Sequence, residues 1–337
     1  MDNYAVSAQL VGLFFQMDGK QLQDQYRNHL SDFHDWKQKP HAENWTLFPE
    51  NISQQLSIDE TSFSNGELYT IVSSKSAKGR KGTILATIKG TKAEDIITVL
   101  ERIPLRSRNK VKEVTMDMAP NMTKAIRRCF RNAKRVIDRF HVQKLAYDAV
   151  QELRIKYRWE VLDQESRKIA QSRKLGISYD PELLPNGDTL KQLLARSRHL
   201  LFKHPSRWTE SQRQRAELLF IRFPKLKKAY DLGIALGDIF NKCKDKKVAF
   251  TKLGLWHNQV ESSAILSFQS VARSIAAHHP QILHYFDNRS TNASAESFNA
   301  KLKAFRSVFR GVRDTTFFLY RVMKLYAYKK YPPKLSV

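Results

Sequence analysis

The sequence predicts an α/β protein in which a mixed sheet is interrupted by a large all-helical insertion and preceded by a short helical segment. Three observations predict it. Apolar residues alternate in short runs between Leu56 and Ile137, which is the period of strands. From Gln143 to about His279 the pattern turns helical and charged, with no convincing strand. After Ala293 a basic helical pattern returns and runs to Tyr328.

Each element has its own signal. Val6 to Phe15 carries apolar residues at helical spacing, and Gln16-Met17-Asp18-Gly19 reads as a turn. Lys20 to Trp36 follows as a second helix with Leu22, Tyr26 and Leu30 on one stripe. Two helices about a Gly-containing turn fit a DNA-reading helix-turn-helix or a hairpin that packs on the next domain or a partner. The acidity of this segment favours the packing hairpin. Residues 37–53 contain two prolines and read as a linker.

Leu56 and Ile58 begin a strand, and Leu68 to Val72 form a second across a Ser64-Asn65-Gly66 turn. Ile84 to Ile88 is a third, after a polar turn that includes residues 79–83, GRKGT. Thr91 is placed to cap a helix over Lys92 to Ile103. Val111 to Met118 is a fourth strand, Pro120 opens a helix to Phe130, and Val136-Ile137 is a fifth strand. The order βββαβαβ indicates a mixed sheet.

Composition narrows the function. Lys and Arg number 58 against 33 Asp and Glu, a net charge of +25 over 337 residues. Residues 1–60 hold 4 basic against 9 acidic residues, whereas 101–145 hold 13 against 4 and 286–337 hold 11 against 3. Phosphate contacts by such residues supply most non-specific DNA affinity, so a polyanion is the expected partner. Two cysteines allow no disulfide framework and no Cys-based zinc site. No apolar run approaches the ~20 residues of a membrane span, and the start lacks an export signal, so a cytoplasmic, nucleoid-associated protein is expected. Walker, GxGxxG and HExxH patterns are absent.

Carboxylates supply the candidate chemistry. Asp59 ends the first core strand and Asp117 the fourth, each opposite in parity to its apolar neighbours. In a ribonuclease H-like sheet those strands lie side by side, so the two carboxylates meet at one strand-end crevice. Adjacent carboxylates repel unless hard divalent cations sit between them. Glu296 is the third candidate: it lies about 200° from the Phe298, Leu302, Phe305, Phe309 stripe, sharing its face with Asn299 and Lys303. Glu60 competes with Asp59, but its parity points it the other way. Asp138 and His141 follow the fifth strand, either beside the metal cage or as a structural hydrogen-bonded pair.

Four segments resemble a family: SIDETSF around Asp59, VTMDMAPNMTKAI around Asp117, VIDRFHVQKL around Asp138, and STNASAESFNAKLKAF around Glu296. Together they resemble the ISL-three group of bacterial insertion-sequence DDE transposases over about residues 55–325. The resemblance implies a ribonuclease H-like core with a helical insertion before its last Glu. It implies Asp59, Asp117 and Glu296 as catalytic ligands of two Mg²⁺ (or Mn²⁺) ions, with Asp138 and His141 as an accessory signature. It also implies double-stranded DNA, element ends and target, as substrate, and a homo-oligomer on that DNA. Family members carry Cys-rich and helix-turn-helix segments ahead of the core, whereas the 58 residues before Asp59 are acidic and lack Cys. That departure suggests the catalytic half of a split transposase with a separate DNA-binding chain. Competing classes are a related polynucleotidyl nuclease and a decayed, non-catalytic DNA-binding protein.

The expected divisions are a hairpin at 1–36, a linker at 37–53, the first part of the core at 54–142, the insertion at 143–285 and completing helices at 286–328. Candidate phosphate contacts in the basic stretches are Arg127, Arg128, Arg131, Arg135, Lys301, Lys303, Arg306 and Arg310.

Overall fold

The computed structural model describes residues 1–63, 66–309 and 314–328. The chain forms two compact units, one of residues 1–138 with 290–337 and one of residues 139–289.

The first unit opens with α1 (Ala8–Phe15), capped by the Ser7 hydroxyl, and α2 (Gly19–Gln25), capped by the Asp18 carboxylate. Glycine is required where they cross: a Cβ on Gly12 would stand 2.6 Å from the Met17 carbonyl oxygen. Strands β1 (Trp45–Leu47), β2 (Gln55–Ser62), β3 (Leu68–Ser74), β4 (Ile84–Lys89), β5 (Glu113–Met116) and β6 (Lys134–Ile137) form one sheet. Their order is β1-β4-β3-β2-β5-β6, antiparallel from β1 to β2 and parallel from β2 through β5 to β6. The expected turn at Ser64 and Asn65 lies outside the described residues.

The linker reading of residues 37–53 is corrected. Trp45 to Leu47 add an edge strand, pairing Trp45 with Ile88 and Leu47 with Ala86. Pro40 and Pro49 open short 3₁₀ turns (Lys39–His41 and Pro49–Asn51), which tolerate a missing N–H. The Asn51 amide donates to the carbonyls of Ile84 (2.7 Å) and Ala327 (2.6 Å), tying the segment into the core.

Helices α3 (Ala93–Leu100) and α5 (Pro120–Cys129) follow in the order that the patterning indicates, with a short α4 (Leu105–Arg108) between them that it does not. Leu56, Ile58, Val114 and Met116 on one sheet face pack with Ile96 and Leu100 of α3 and Ala125 and Ile126 of α5. Burial of those side chains from water is the main stabilising term for this layer.

The second unit is all helical: α6 (Arg139–Lys174), α7 (Leu190–Arg196), α8 (Glu210–Arg222), α9 (Pro224–Lys242), α10 (Lys246–Ser263), α11 (Leu266–Ala277), α12 (His279–Leu283) and α13 (Tyr285–Asn288). It is wider than the expected 143–285 because α6 starts directly after Asp138 with no intervening loop. Thr189 and Thr209 form capping boxes with Gln192 and Gln212, fixing the starts of α7 and α8. Buried Trp256 donates its indole N–H to the Leu232 carbonyl at 2.9 Å, joining α10 to α9. Buried Asp188 is paired with Arg196 and, at 3.2 Å, with Arg215.

The chain then returns to the first unit as α14 (Ala293–Val308) and α15 (Thr315–Tyr326). Phe298, Leu302, Phe305 and Phe309 are buried as the stripe predicts, with Tyr69, Ile71 and Ile84 of the sheet and Phe317 and Phe318 of α15. Tyr26, Phe33 and Trp36 join the same core, so the N-terminal segment packs on α15. Asp32 accepts from Lys324 and Tyr320, and Arg321 donates to the carbonyls of Met1 (2.9 Å) and Val6 (3.2 Å). Among the described residues, no helix is long and apolar enough to cross a membrane.

Candidate active site

Strand register sets the positions of the carboxylates. Parallel β2 and β5 pair Gln55 with Glu113 and Ser57 with Thr115, and β5 and β6 pair Glu113 with Lys134 and Met116 with Ile137. Carried two residues on, those constant offsets put Asp59 level with Asp117 and Asp138. The latter two stand just past the ends of β5 and β6. Asp59, expected to end its strand, lies three residues before the end of β2, which runs on in its antiparallel pairing with β3. The Asp138 N–H donates to the Met116 carbonyl at 3.0 Å, which holds the last strand in that register. Side chains alternate along a strand. With Leu56, Ile58, Val114 and Met116 turned to the α3 and α5 layer, Asp59 and Asp138 meet Asn299 and Glu296 of α14, and Asp117 has the same parity.

Helix α14 meets them with its polar face. Glu296 lies in its first turn, and Asn299, one turn on, donates to Asp59 Oδ2 at 2.7 Å. A carboxylate oxygen of Glu296 lies within 4.8 Å of one of Asp138. The helix thus reaches both ends of the aspartate row, while the oxygens of Asp59, Asp117 and Glu296 are not all within 4.8 Å of one another. Asp117 Oδ1 accepts the Ala119 N–H at 2.9 Å, an Asx turn that leads into α5. Asp59 Oδ1 accepts the Glu60 N–H at 2.9 Å.

Glu60 takes the opposite face, as its parity requires. Burial, with Asp117 and then Asp59 nearby, pushes its carboxyl above the usual range, against a hydrogen bond from Asn121. His141 belongs to the first turn of α6 in the helical unit, its ring edge-on to Phe140 with centroids 5.8 Å apart. Lys75, which carried no sequence signal beyond its place in a polar turn, lies under this face of the sheet. Burial pulls its amine below the usual range, opposed by the charges of Glu113 and Asp138.

The basic candidates divide between the two layers. Arg127 and Arg128 belong to α5, with Arg131 just beyond it, and all three are exposed; Arg128 pairs with Glu101 at 2.8 Å. Arg135 is half-buried on β6. Lys301 and Lys303 are exposed on α14, across the sheet from α5. Arg306 is corrected: it is buried, 3.1 Å from Glu67 and stacked over Phe318, because it follows the apolar stripe closely enough to turn inward. Arg310 lies outside the described residues.

A family model described as a transposase matches residues 56–322, well over half of the chain. No curated protein and no solved structure matches it.

Proposed function

We propose, from the premise that this chain belongs to the ISL-three group of DDE transposases, that it cuts and rejoins DNA strands through Asp59, Asp117 and Glu296. The observation that supports the reading best is the level row of Asp59, Asp117 and Asp138 on parallel strands, with α14 bringing Glu296 to Asp138 and Asn299 to Asp59. The strand order, leaving aside edge strand β1, supports a ribonuclease H-like core.

The donor set fits Mg²⁺ or Mn²⁺. Carboxylate oxygens are hard anionic donors, and gathering them at one strand-end level is costly without a cation. Asp59, Asp117 and Glu296, with Asp138 as a fourth carboxylate, would hold two such ions. When bound, the ions supply charge for an attacking and a leaving oxygen in phosphodiester chemistry.

The chain's own residues do the positioning. Asn299 fixes the rotamer of Asp59, and the Ala119 N–H fixes that of Asp117. Helix α14 delivers Glu296 from above the row. Exposed Lys303, two turns on from Glu296 on the same helix face, would hold the phosphate backbone there, with exposed Lys301 further round α14. Water attacks the phosphodiester at an element end and the 3′ oxygen leaves; that 3′ hydroxyl then attacks a target phosphodiester and displaces its 3′ oxygen.

The test is nicking and joining of a supercoiled plasmid bearing the DNA that flanks the coding region, with Mg²⁺ or Mn²⁺. Asp59→Asn, Asp117→Asn and Glu296→Gln should each abolish both steps and keep DNA affinity. Full strand transfer by any of them would remove that residue from the chemistry.

A further inference from the structure

We infer that Lys75 and Ser290 form a positioning clamp that sets where Glu296 stands, a role that rests on the reading of Glu296 as a catalytic carboxylate. Ser290 is the first residue of the sheet unit after the helical insertion, and Glu296 follows six residues later. The placement of that return therefore decides the placement of the carboxylate.

The clamp is built on the sheet itself. Lys75 lies in a 3₁₀ turn directly after β3, with its side chain only 12% exposed. Its ammonium donates to Thr115 Oγ1 at 2.7 Å and to the Ser290 hydroxyl, and stands 3.7 Å from Glu113 Oε1. Ser290 in turn donates to Glu113 Oε1, and its oxygen lies 3.3 Å from Thr115 Oγ1. Glu113 and Thr115 share a face of β5 with Asp117, since they precede it by four and two residues. One strand therefore carries both a carboxylate of the row and the anchor for the segment that brings Glu296.

From the anchor to the helix the path is short. Asn292, wholly buried, is the residue immediately before α14, and its carbonyl accepts the Glu296 N–H at 2.8 Å. A neutral side chain at position 75 could fill the same space. A cationic side chain instead brings a charge that Glu113 balances and donors for both the Thr115 and the Ser290 hydroxyls. Displacing a catalytic group by about 1 Å costs on the order of 10²-fold in rate, so a loose return segment would be felt in turnover first.

Three variants test the clamp. Ser290→Ala removes the hydroxyl at its centre and leaves Lys75 bonded to Thr115 and paired with Glu113, so the fold is kept. Lys75→Met keeps the stem and removes the charge, and Lys75→Arg restores charge and donors. Each is assayed beside Glu296→Gln for Mn²⁺-dependent nicking of the flank-bearing plasmid, for Mn²⁺ binding by calorimetry, and for plasmid affinity.

For Ser290→Ala the expected result is turnover lowered about 10–100-fold. Its Mn²⁺ binding should weaken several-fold, while plasmid affinity and KM stay at the wild-type level. Lys75→Met should lose more, and Lys75→Arg should recover part of that loss. Wild-type turnover and Mn²⁺ binding in Ser290→Ala, with Glu296→Gln inactive, would overturn the clamp and leave the catalytic reading standing. Full activity in Glu296→Gln would overturn both. Should Lys75→Met not fold, Ser290→Ala alone decides.

Discussion

Two regions of the sheet unit gather charge, and they do so in opposite ways. Against α15, carboxylate meets cation: Asp32 with Lys324, whose side chain is 1% exposed, while Arg321 is spent on two backbone carbonyls. At the strand ends of β5 and β6, carboxylate meets carboxylate: Asp138 with Glu296 within 4.8 Å, and Asp117 level with Asp59 of β2 when the β2–β5 offset is carried on. Charge that meets its opposite is explained by the fold that it locks. Like charge brought together works against folding, and it is kept where a ligand of opposite sign completes it. The α15 region is accordingly read as structure and the strand ends as the place of chemistry.

The comparison is sharpest under substitution. Neutralising Asp59, Asp117 or Glu296 should cost roughly 10³-fold or more in strand cleavage, since several kcal/mol of transition-state stabilisation at 1.36 kcal/mol per tenfold is removed. Melting temperature in metal-free buffer should hold or rise. Asp32→Asn should do the reverse: about 1–2 kcal/mol of stability lost, discounted for the exposure of Asp32, with specific activity of the folded protein unchanged. Plasmid nicking and thermal melts on the same preparations check both halves.

Asn299→Ala stands between these extremes. It removes the donor to Asp59 Oδ2, and a hydrogen bond to a charged group is worth about 1.5–3 kcal/mol. Nicking should fall roughly 10–100-fold. Asn299→Asp should fall further, because a carboxylate there cannot donate and adds repulsion.

A smaller effect is expected from pH. Burial raises the Asp32 carboxyl, but hydrogen bonds from Lys324 and Tyr320 and the Lys324 charge outweigh it and hold it below the usual carboxylate range. Its folded value being the lower one, the stability it contributes is complete above the usual range and is lost as pH falls through the folded value. Acid melts of Asp32→Asn should therefore be flatter than those of the wild type in that window.

Much of this contrast was legible in the residues. Alternation placed the strands that carry Asp59 and Asp117, because each has clear parity and an apolar face, whereas the strand before Asp138 showed only the adjacent pair Val136-Ile137. Helical spacing likewise took Glu296 and Asn299 off the Phe298 stripe. Periodicity failed where elements are too short to show it: Trp45-Thr46-Leu47 is three residues between prolines, and only its pairing with β4 makes it a strand. It also failed where a long polar side chain turns inward. Arg306 reads as a phosphate contact and Lys75 as part of a polar turn, yet Glu67 draws one inward and Glu113, Thr115 and Ser290 the other. Such partners are distant in sequence, so no local pattern announces them.

The central claim, that like charge at the strand ends is gathered for a cation, is tested most directly by thermal melts of the wild type and Glu296→Gln with and without Mn²⁺. A ligand that binds the folded state alone raises its melting temperature. The account predicts that Mn²⁺ raises the wild-type value and leaves Glu296→Gln little changed, and that without metal the variant melts no lower than the wild type. A wild type indifferent to Mn²⁺, together with a Glu296→Gln protein that melts well below it in metal-free buffer, would contradict the account and make Glu296 a structural residue.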